Sequence, residues 1–240
     1  MNPVLYFNRM FAIYDHAIAA LRRLFDLRIK EAAVLDTAAL FPDADHFIAH
    51  WRAIRDEALS VARELNTVPR FHEVMREQAP ISANDGRDWR MFIMQAYGHI
   101  FRASLDRCPV LASVVARSPD VLSASFSFLA AGKHIPPHHG PFRGILRGYL
   151  VLDMPRRRTD GSPAAVLKVD QREYRLPEGE FMLWDDTYEH EVWNDSDSVR
   201  IVLLLDIRRR GLPVDMRVLS AAVIALVRFG VWLRGRAVTG

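Results

Sequence analysis

The pattern of apolar and polar positions changes period once along this chain, near residue 120. Ahead of that point, in "DADHFIAHWRAIRDEALSVAREL", Phe47, Trp51, Ile54, Ala58, Val61 and Leu65 recur at helical spacing behind Asp43, a residue suited to capping a helix. Such a stripe has to be buried against another layer. A polar stretch follows in which "ISANDGRDW" reads as loop, and a helix around Val110 to Ala116 closes the first half. From Val121 the period becomes two: "VLSASFSFLA", "GILRGYLVLDM", "AAVLKV", "REYRL", "GEFMLWD" and "VRIVLLLDI" read as strands, with "TDGSP" and "PEG" as turns. Short strands at near-regular spacing predict an antiparallel sandwich or barrel, one face of which the preceding helices can cover. The expected class is α+β with a double-stranded β-helix core, jelly-roll or cupin-like. It occupies residues 41–212, between an N-terminal helical extension (1–40) and a C-terminal amphipathic helix (213–240).

Composition changes this picture little. Half of the 240 residues are hydrophobic and a quarter are charged, an ordinary globular balance. The 32 basic and 29 acidic residues leave a formal charge of +3, which is no nucleic-acid footprint. Arginines bunch at 156–158 and 208–210 and read either as solvated loop charge or as attraction to an anionic surface or substrate. The single cysteine, Cys108, excludes an internal disulfide and a cysteine zinc site, and it reads as packing at a helix start before Pro109.

The two termini differ. "MNPVLYFNRMFAIYDHAIAALRRLF" is interrupted by Asn8, Arg9, Asp15 and His16 and lacks the apolar run of a signal peptide, so a cytoplasmic location is expected. Toward the other end, ten uncharged residues run up to Val227, followed by Arg228 and an apolar turn ending at Trp232. That falls short of the roughly 20 apolar residues needed to cross a bilayer. The segment reads as a helix lying peripherally on the inner face of the membrane, or as one packed on the domain or on another subunit.

The candidate chemistry starts at "HIPPHHGPFRG", where His134, His138 and His139 fall within six residues in what reads as a stiff, exposed turn. About fifty residues later "WDDTYEHEVWND" carries His190. Two histidines delivered from turns of a small β-barrel can converge on one metal ion, and imidazole alone does not choose among Fe(II), Zn and Cu. Alternation places Arg147 on one strand face with Ile145, Tyr149 and Val151, and Arg200 on one with Val202, Leu204 and Asp206. An arginine among aliphatics on an inward face is costly unless an anion meets it. If those faces point inward, two such guanidiniums beside a two-histidine metal would cradle a dicarboxylate, as an Fe(II)- and 2-oxoglutarate-dependent oxygenase requires.

The stretch "HIPPHHGPFRGILRGYLVL", taken with "GEFMLWDDTYEHEVWNDSDSVRIVLLLDI", resembles the aspartyl/asparaginyl β-hydroxylase family, whose bacterial members include lipid A acyl-chain 2-hydroxylases. The likeness runs from about Ser127 to Asp206 and is most specific in its second block. "WRMFIMQAYGH" is similar to the front half of bacterial members. The resemblance implies iron ligation by His138 and His190. It implies 2-oxoglutarate binding by Ser127 and Arg200 at the distal carboxylate and by Arg147 nearer the metal, with Trp89 as an aromatic on the substrate side. Two positions depart from the pattern. Gly140 stands where such oxygenases usually carry a carboxylate ligand, a glycine that some members of the family share, and Tyr149 stands where histidine is common. A tyrosine hydroxyl at the cosubstrate site still donates to a carboxylate, though not as a cation.

Several neighbours have simpler readings. Asp185 and Asp186 could offer a replacement carboxylate ligand, but capping the turn that presents His190 is the plainer role. His134 and His139 fall outside the ligand set, Glu189 and Glu191 fix the loop, and Phe181, Trp184 and Trp193 belong to the core. The expected activity is hydroxylation of an unactivated C–H bond with Fe(II), 2-oxoglutarate and O2. The substrate is a lipid A-type acyl chain or an Asp/Asn side chain in a peptide or small molecule, and no nucleic acid is involved. Two rivals remain: a non-redox, cupin-like module holding zinc at the same histidines, and a non-catalytic relative.

Overall fold

The computed structural model describes residues 19–238, with 233–238 as backbone only, so residues 1–18 of the expected extension and 239–240 at the other end lie outside the described residues. Helix α1 covers 19–28. It is followed by α2 (Thr37–Leu40), α3 (Ala44–Ala49), α4 (Trp51–Ala62), α5 (Phe71–Val74) and α6 (Ala79–Ser82). Then come β1 (Trp89–Ala96), β2 (His99–Ile100), α7 (Arg102–Asp106) and α8 (Pro109–Ala116). The remaining strands are β3 (Val121–Leu129), β4 (His134–His138), β5 (Ile145–Asp153), β6 (Ala165–Val169), β7 (Arg172–Tyr174), β8 (Phe181–Trp184), β9 (His190–Asn194) and β10 (Arg200–Arg208), and α9 (Val214–Val238) ends the described chain.

The strands form two sheets, ordered β2-β1-β3-β10-β5-β8 and β4-β9-β6-β7, with every pairing antiparallel. From β3 onward the chain switches between them, so that β3, β5, β8 and β10 lie in the larger sheet and β4, β6, β7 and β9 in the smaller. That is a double-stranded β-helix. The central strands are covered on both faces, and residue parity decides which layer a side chain meets. Phe126, Phe128, Leu146, Leu150, Leu203 and Leu205 pack with Phe47, Ile54, Ala58 and Leu111 of the helices. The opposite parity, with Leu129, Tyr149, Val151 and Val202, packs against Ile135, Leu167, Val169 and Val192 of the smaller sheet. Ser127, Arg147 and Arg200 share that second parity, so the polar positions of these strands point between the sheets.

Four features differ from the sequence reading. The long helix expected over 43–65 is two helices, broken at His50, whose ring Nδ1 bonds the His46 carbonyl at 2.8 Å. Asp43 makes no capping bond and its own backbone is already helical (φ −64°). Sheet structure begins at Trp89 rather than Val121, because β1 pairs along β3. Finally, the histidine-bearing segments are strands. β4 is an edge strand that pairs with β9 at His134, Ile135 and His138 and passes over Pro136 and Pro137, which have no N–H to give.

One end of the sandwich is closed by α1 and α9, where Phe25, Ile29, Met216 and Ile224 bury Leu122, Phe142 and Ile145. Residues 33–35 cover the outer edge of β8: Asp185 N–H donates to Ala33 O (2.8 Å) and Leu35 N–H to Leu183 O (3.0 Å). The arginine runs are largely compensated locally. Arg158 pairs with Asp197, Arg210 with Asp120, and Arg209 is buried against Asp185 and Glu31. Cys108 is fully buried before α8, where burial and the charge of Glu57 push its thiol up to about 12, so it packs and does not react. Among the described residues no helix is long and apolar enough to cross a membrane.

Candidate active site

Strand register brings the two histidines together. His138 on β4 is the direct partner of His190 on β9, and their ring centroids lie 4.0 Å apart. His190 shares its parity with Val192 and so points between the sheets, where the edge of Trp184 meets its ring at 4.5 Å. Each Nδ1 is committed to a carbonyl two residues earlier, His138 to Pro136 O (2.8 Å) and His190 to Tyr188 O (2.9 Å). A carbonyl only accepts, so each Nδ1 must carry the proton. Both Nε2 atoms are thereby left with lone pairs, the state a metal ligand needs. Burial holds both imidazoles below the usual histidine range, and in His190 the neighbouring His138 adds to the effect.

That depression sets a pH dependence. The unfolded chain takes up protons at these two histidines near pH 6.5, before the folded protein does. The stability that the neutral rings contribute is therefore present above that pH and is lost as the pH falls below it. The melting temperature of the metal-free protein is expected to drop on acidification from about pH 7 to about pH 5, with a shallower slope in His190→Phe. Equal slopes for the two proteins, measured by differential scanning fluorimetry, would contradict the assignment.

The turn after β4 is laced to the turn before β9. Gly140 N–H donates to Asp186 O (2.5 Å), His139 Nδ1 to Thr187 O (3.0 Å) and Arg143 Nε to the Thr187 hydroxyl (3.0 Å). Arg22 of α1 reaches the Gly140 carbonyl at 2.7 Å. Asp185 caps its turn as expected, accepting from Thr187 N–H (3.1 Å) and hydroxyl (2.6 Å) and from Arg209 (2.7 Å). Asp186 has a different place. A Cβ on residue 140 would overlap its carboxyl group, with Oδ2 at 2.6 Å and the other atoms closer still. The space that a side chain at 140 would fill is already occupied by a carboxylate from across the site, which is why the position is glycine. Among the described residues no group of three or more His, Cys, Asp or Glu side chains is arranged to hold a metal, so the two imidazoles stand as a pair.

Arg147 sits between Asp186 (2.9 Å) and Asp206 (2.7 Å), the latter its partner in register across β5 and β10. Two carboxylates around one guanidinium hold it firmly cationic against the opposing effect of burial. Asp186 moves the opposite way to its partner. Burial first, with Asp206 and Asp185 adding, raises it in spite of Arg147, so Asp186 takes a proton more readily than an ordinary aspartate. Its Oδ1 is buried without a hydrogen-bond partner. The Tyr97 phenol lies beside Asp206 and extends the network to the β1–β2 turn.

Arg200 presents the complementary situation. It is 2% exposed, its Nε and Nη1 have no hydrogen-bond partner, and among the described residues no carboxylate pairs with it. Its guanidinium meets Tyr149, whose ring centroid lies 5.6 Å from Cζ. Burial depresses its pKa. An unpaired buried guanidinium is expensive, and an anionic ligand would remove the cost. Ser127 lies diagonally across β3 and β10 from it, and its hydroxyl oxygen accepts the Trp89 indole N–H at 2.9 Å, which leaves the Ser127 proton to donate. Trp89, expected on the substrate side, is 7% exposed and tilted against Phe71 (4.4 Å), so its contact is with the serine. His134 binds Glu191 (3.0 Å) and His139 stays exposed.

Sequence reasoning did not find Asp206 as the partner of Arg147, nor Tyr97, Arg143 and Arg209. Alternation puts Asp206 on one face with Arg200, but its opposition to Arg147 depends on a register that no residue pattern states. Arg143 and Arg209 carried only the signal of arginines near the motifs.

A sequence model described as aspartyl/asparaginyl beta-hydroxylase matches residues 48–210. An ornithine lipid ester-linked acyl 2-hydroxylase from Rhizobium tropici is 34% identical over 173 residues, 72% of this chain and 59% of that protein. The human aspartyl/asparaginyl beta-hydroxylase is 26% identical over 179 residues, 68% of this chain and 22% of that one. The chain thus spans less than two thirds of either relative. A solved Pseudomonas putida prolyl-4-hydroxylase is 16% identical, with 81% of this chain and all of that chain covered at a TM-score of 0.41.

Proposed function

We propose a function from one premise: this chain belongs to the aspartyl/asparaginyl β-hydroxylase family. On that premise it is an Fe(II)- and 2-oxoglutarate-dependent hydroxylase acting on an unactivated C–H bond of a lipid acyl chain. The observation that carries the reading is a pair of neutral imidazoles with unclaimed Nε2 atoms, set in the same interior as a buried guanidinium that lacks an anion. A zinc-binding module would need the histidines but not the orphaned Arg200.

The donor set fits the cofactors. His138 and His190 would hold the iron through Nε2, and Arg200, Ser127 and Tyr149 would hold the distal carboxylate of 2-oxoglutarate. Once bound, that pair supplies the oxidising power, activating O2 as 2-oxoglutarate is decarboxylated to succinate. What remains to the chain is positioning and electrostatics. Arg147 has five N–H donors, so it can keep Asp186 and Asp206 in place and still donate to the carboxylate nearer the metal. Asp186, with Oδ1 unpaired and its proton affinity raised, is the residue able to hold a proton beside Gly140. Trp184 and Trp89 exclude water from the interior.

The choice of substrate leans on the relatives. The bacterial one, the more similar of the two named, acts on an ester-linked acyl chain of ornithine lipid, which favours a lipid over an Asp or Asn side chain. It also makes ornithine lipid, ahead of lipid A, the first lipid to test. The purified protein is to be incubated in air with Fe(II), 2-oxoglutarate and ornithine lipid, lipid A or an Asp-containing peptide. The expected result is succinate released in step with the gain of one oxygen atom on an acyl chain, and none with Zn(II). Absence of Fe-dependent succinate with all three would overturn the reading, and oxygen gained only on the peptide would move the substrate.

A further inference from the structure

Helix α9 wears two faces. Met216, Ser220 and Ile224 are buried against the β-sandwich and α1, while Val214 (66%), Val218 (64%), Leu226 (71%), Phe229 (58%) and Trp232 (47%) stand on the opposite side, open to solvent. Their spacing keeps them in one stripe. Between Val218 and Leu226 only alanines join that face, and Phe229 stacks on Trp232 with centroids 5.8 Å apart. A soluble helix ordinarily turns charge to water there. Ile100, in β2, and Phe101, just after it, are also exposed, and β2 lies against α9. A contiguous apolar surface of this kind marks a docking site.

The charges around it choose the partner. Helix α9 holds four arginines, at 217, 228, 234 and 236, against one carboxylate, Asp215, which is already paired with Arg28 at 2.9 Å. Arg217 and Arg228 lie along one flank of the stripe, both exposed. A second copy seated symmetrically on this face would bring arginines to arginines, with the one carboxylate of the helix, Asp215, already paired with Arg28. An anionic lipid surface meets both requirements, since it buries the apolar stripe and faces the arginines with phosphate.

We propose that this face of α9, with the β2 edge, docks on an anionic lipid bilayer. The docked orientation sets a cavity of about 340 Å³, lined by Tyr97, Gly98, His99, Arg228 and Trp232, at the bilayer surface. Its Tyr97 wall leads inward through Asp206 and Arg147 to Asp186. Tyr97 and Gly98 form a two-residue turn with positive φ at both positions (47° and 92°), and that turn delivers β2 to the helix. The docking stands apart from the proposed chemistry, and its test contains neither iron nor 2-oxoglutarate.

The experiment is vesicle flotation of the full chain. Phosphatidylcholine vesicles with and without about one third phosphatidylglycerol are compared, for the wild type, Leu226→Ser/Phe229→Ser and Arg217→Gln/Arg228→Gln. The wild type is expected to float with the anionic vesicles and to be released by salt. Because each exposed large side chain inserts apolar area, the apolar double variant is expected to bind at least about tenfold more weakly, and the charge variant to lose its preference for anionic lipid. An unchanged melting temperature establishes that each variant is folded, and if the double variant is not, Phe229→Ser alone takes its place. No flotation with either vesicle, or equal binding by the variants, overturns the proposal. So does a dimer in gel filtration that Leu226→Ser/Phe229→Ser splits, which would make the face a contact between copies.

Discussion

Installing an aspartate at position 140 is expected to destabilise this protein severely and to silence it, rather than to complete a three-ligand metal site. By analogy with oxygenases that place a carboxylate two residues after the first histidine, Gly140→Asp looks like a repair. In this fold that space holds the carboxyl group of Asp186, and a Cβ at 140 would overlap it. The backbone cannot retreat easily, because Gly140 N–H is bonded to Asp186 O at 2.5 Å and Gly140 O to Arg22 at 2.7 Å. Asp186 would have to swing away and leave Arg147, in a network where removing a partner from a buried ion pair costs about 3–5 kcal/mol. Against a total stability of about 5–15 kcal/mol that is a large share. Urea unfolding of the wild type, Gly140→Ala and Gly140→Asp measures it. The alanine variant carries the overlap without the new charge and is expected to lose about 1–3 kcal/mol from overpacking alone. Wild-type stability in Gly140→Ala would mean that Asp186 is not held where it is seen.

Arg200→Met is expected to do the opposite to stability while removing a ligand response. The wild-type guanidinium is buried with two nitrogens unpartnered and no neighbouring carboxylate. Replacing buried charge with a well-packed apolar side chain of similar volume is often stabilising by about 1–4 kcal/mol. The ligand-free variant should therefore melt higher than the wild type. With Fe(II) under anaerobic conditions, 2-oxoglutarate at about 100 times its Kd should stabilise the wild type by about 2.7 kcal/mol and Arg200→Met not at all. Arg200→Lys keeps a charge without the planar fork and should respond weakly. If 2-oxoglutarate stabilises Arg200→Met as much as the wild type, the carboxylate anchor lies elsewhere.

Part of the candidate site was legible before any fold was known, some of it from strand alternation, which is a local property, and the rest from the resemblance of its motifs to a family. Reading "GILRGYLVL" and "VRIVLLLDI" as period-two strands puts Arg147 and Arg200 each on one face with aliphatic neighbours without saying that this face is the inner one, and the sandwich turns both between the sheets. The two histidine segments were less legible, for a physical reason. Prolines 136 and 137 argue for a turn in any isolated reading, and only the assignment of β4 to a sheet edge, with those prolines skipped in the pairing, reconciles them with a strand. β1 was missed in the same way, since "WRMFIMQA" has no clean alternation and becomes a strand by pairing with β3 across a bulge.

What this sequence determines by itself is therefore part of the inventory and the sharing of faces: which segments after Val121 alternate as strands, which side chains lie on one face together, and that an arginine turned inward calls for an anion. Tertiary structure alone decides who meets whom. Register set His138 opposite His190, put Asp206 against Arg147 and left Arg200 without a carboxylate. The folding of one turn onto another carried Asp186 into the space above Gly140. Local propensities act over a few residues, whereas these contacts join positions some fifty residues apart through sheet pairing, and no local pattern encodes the register of such a pairing.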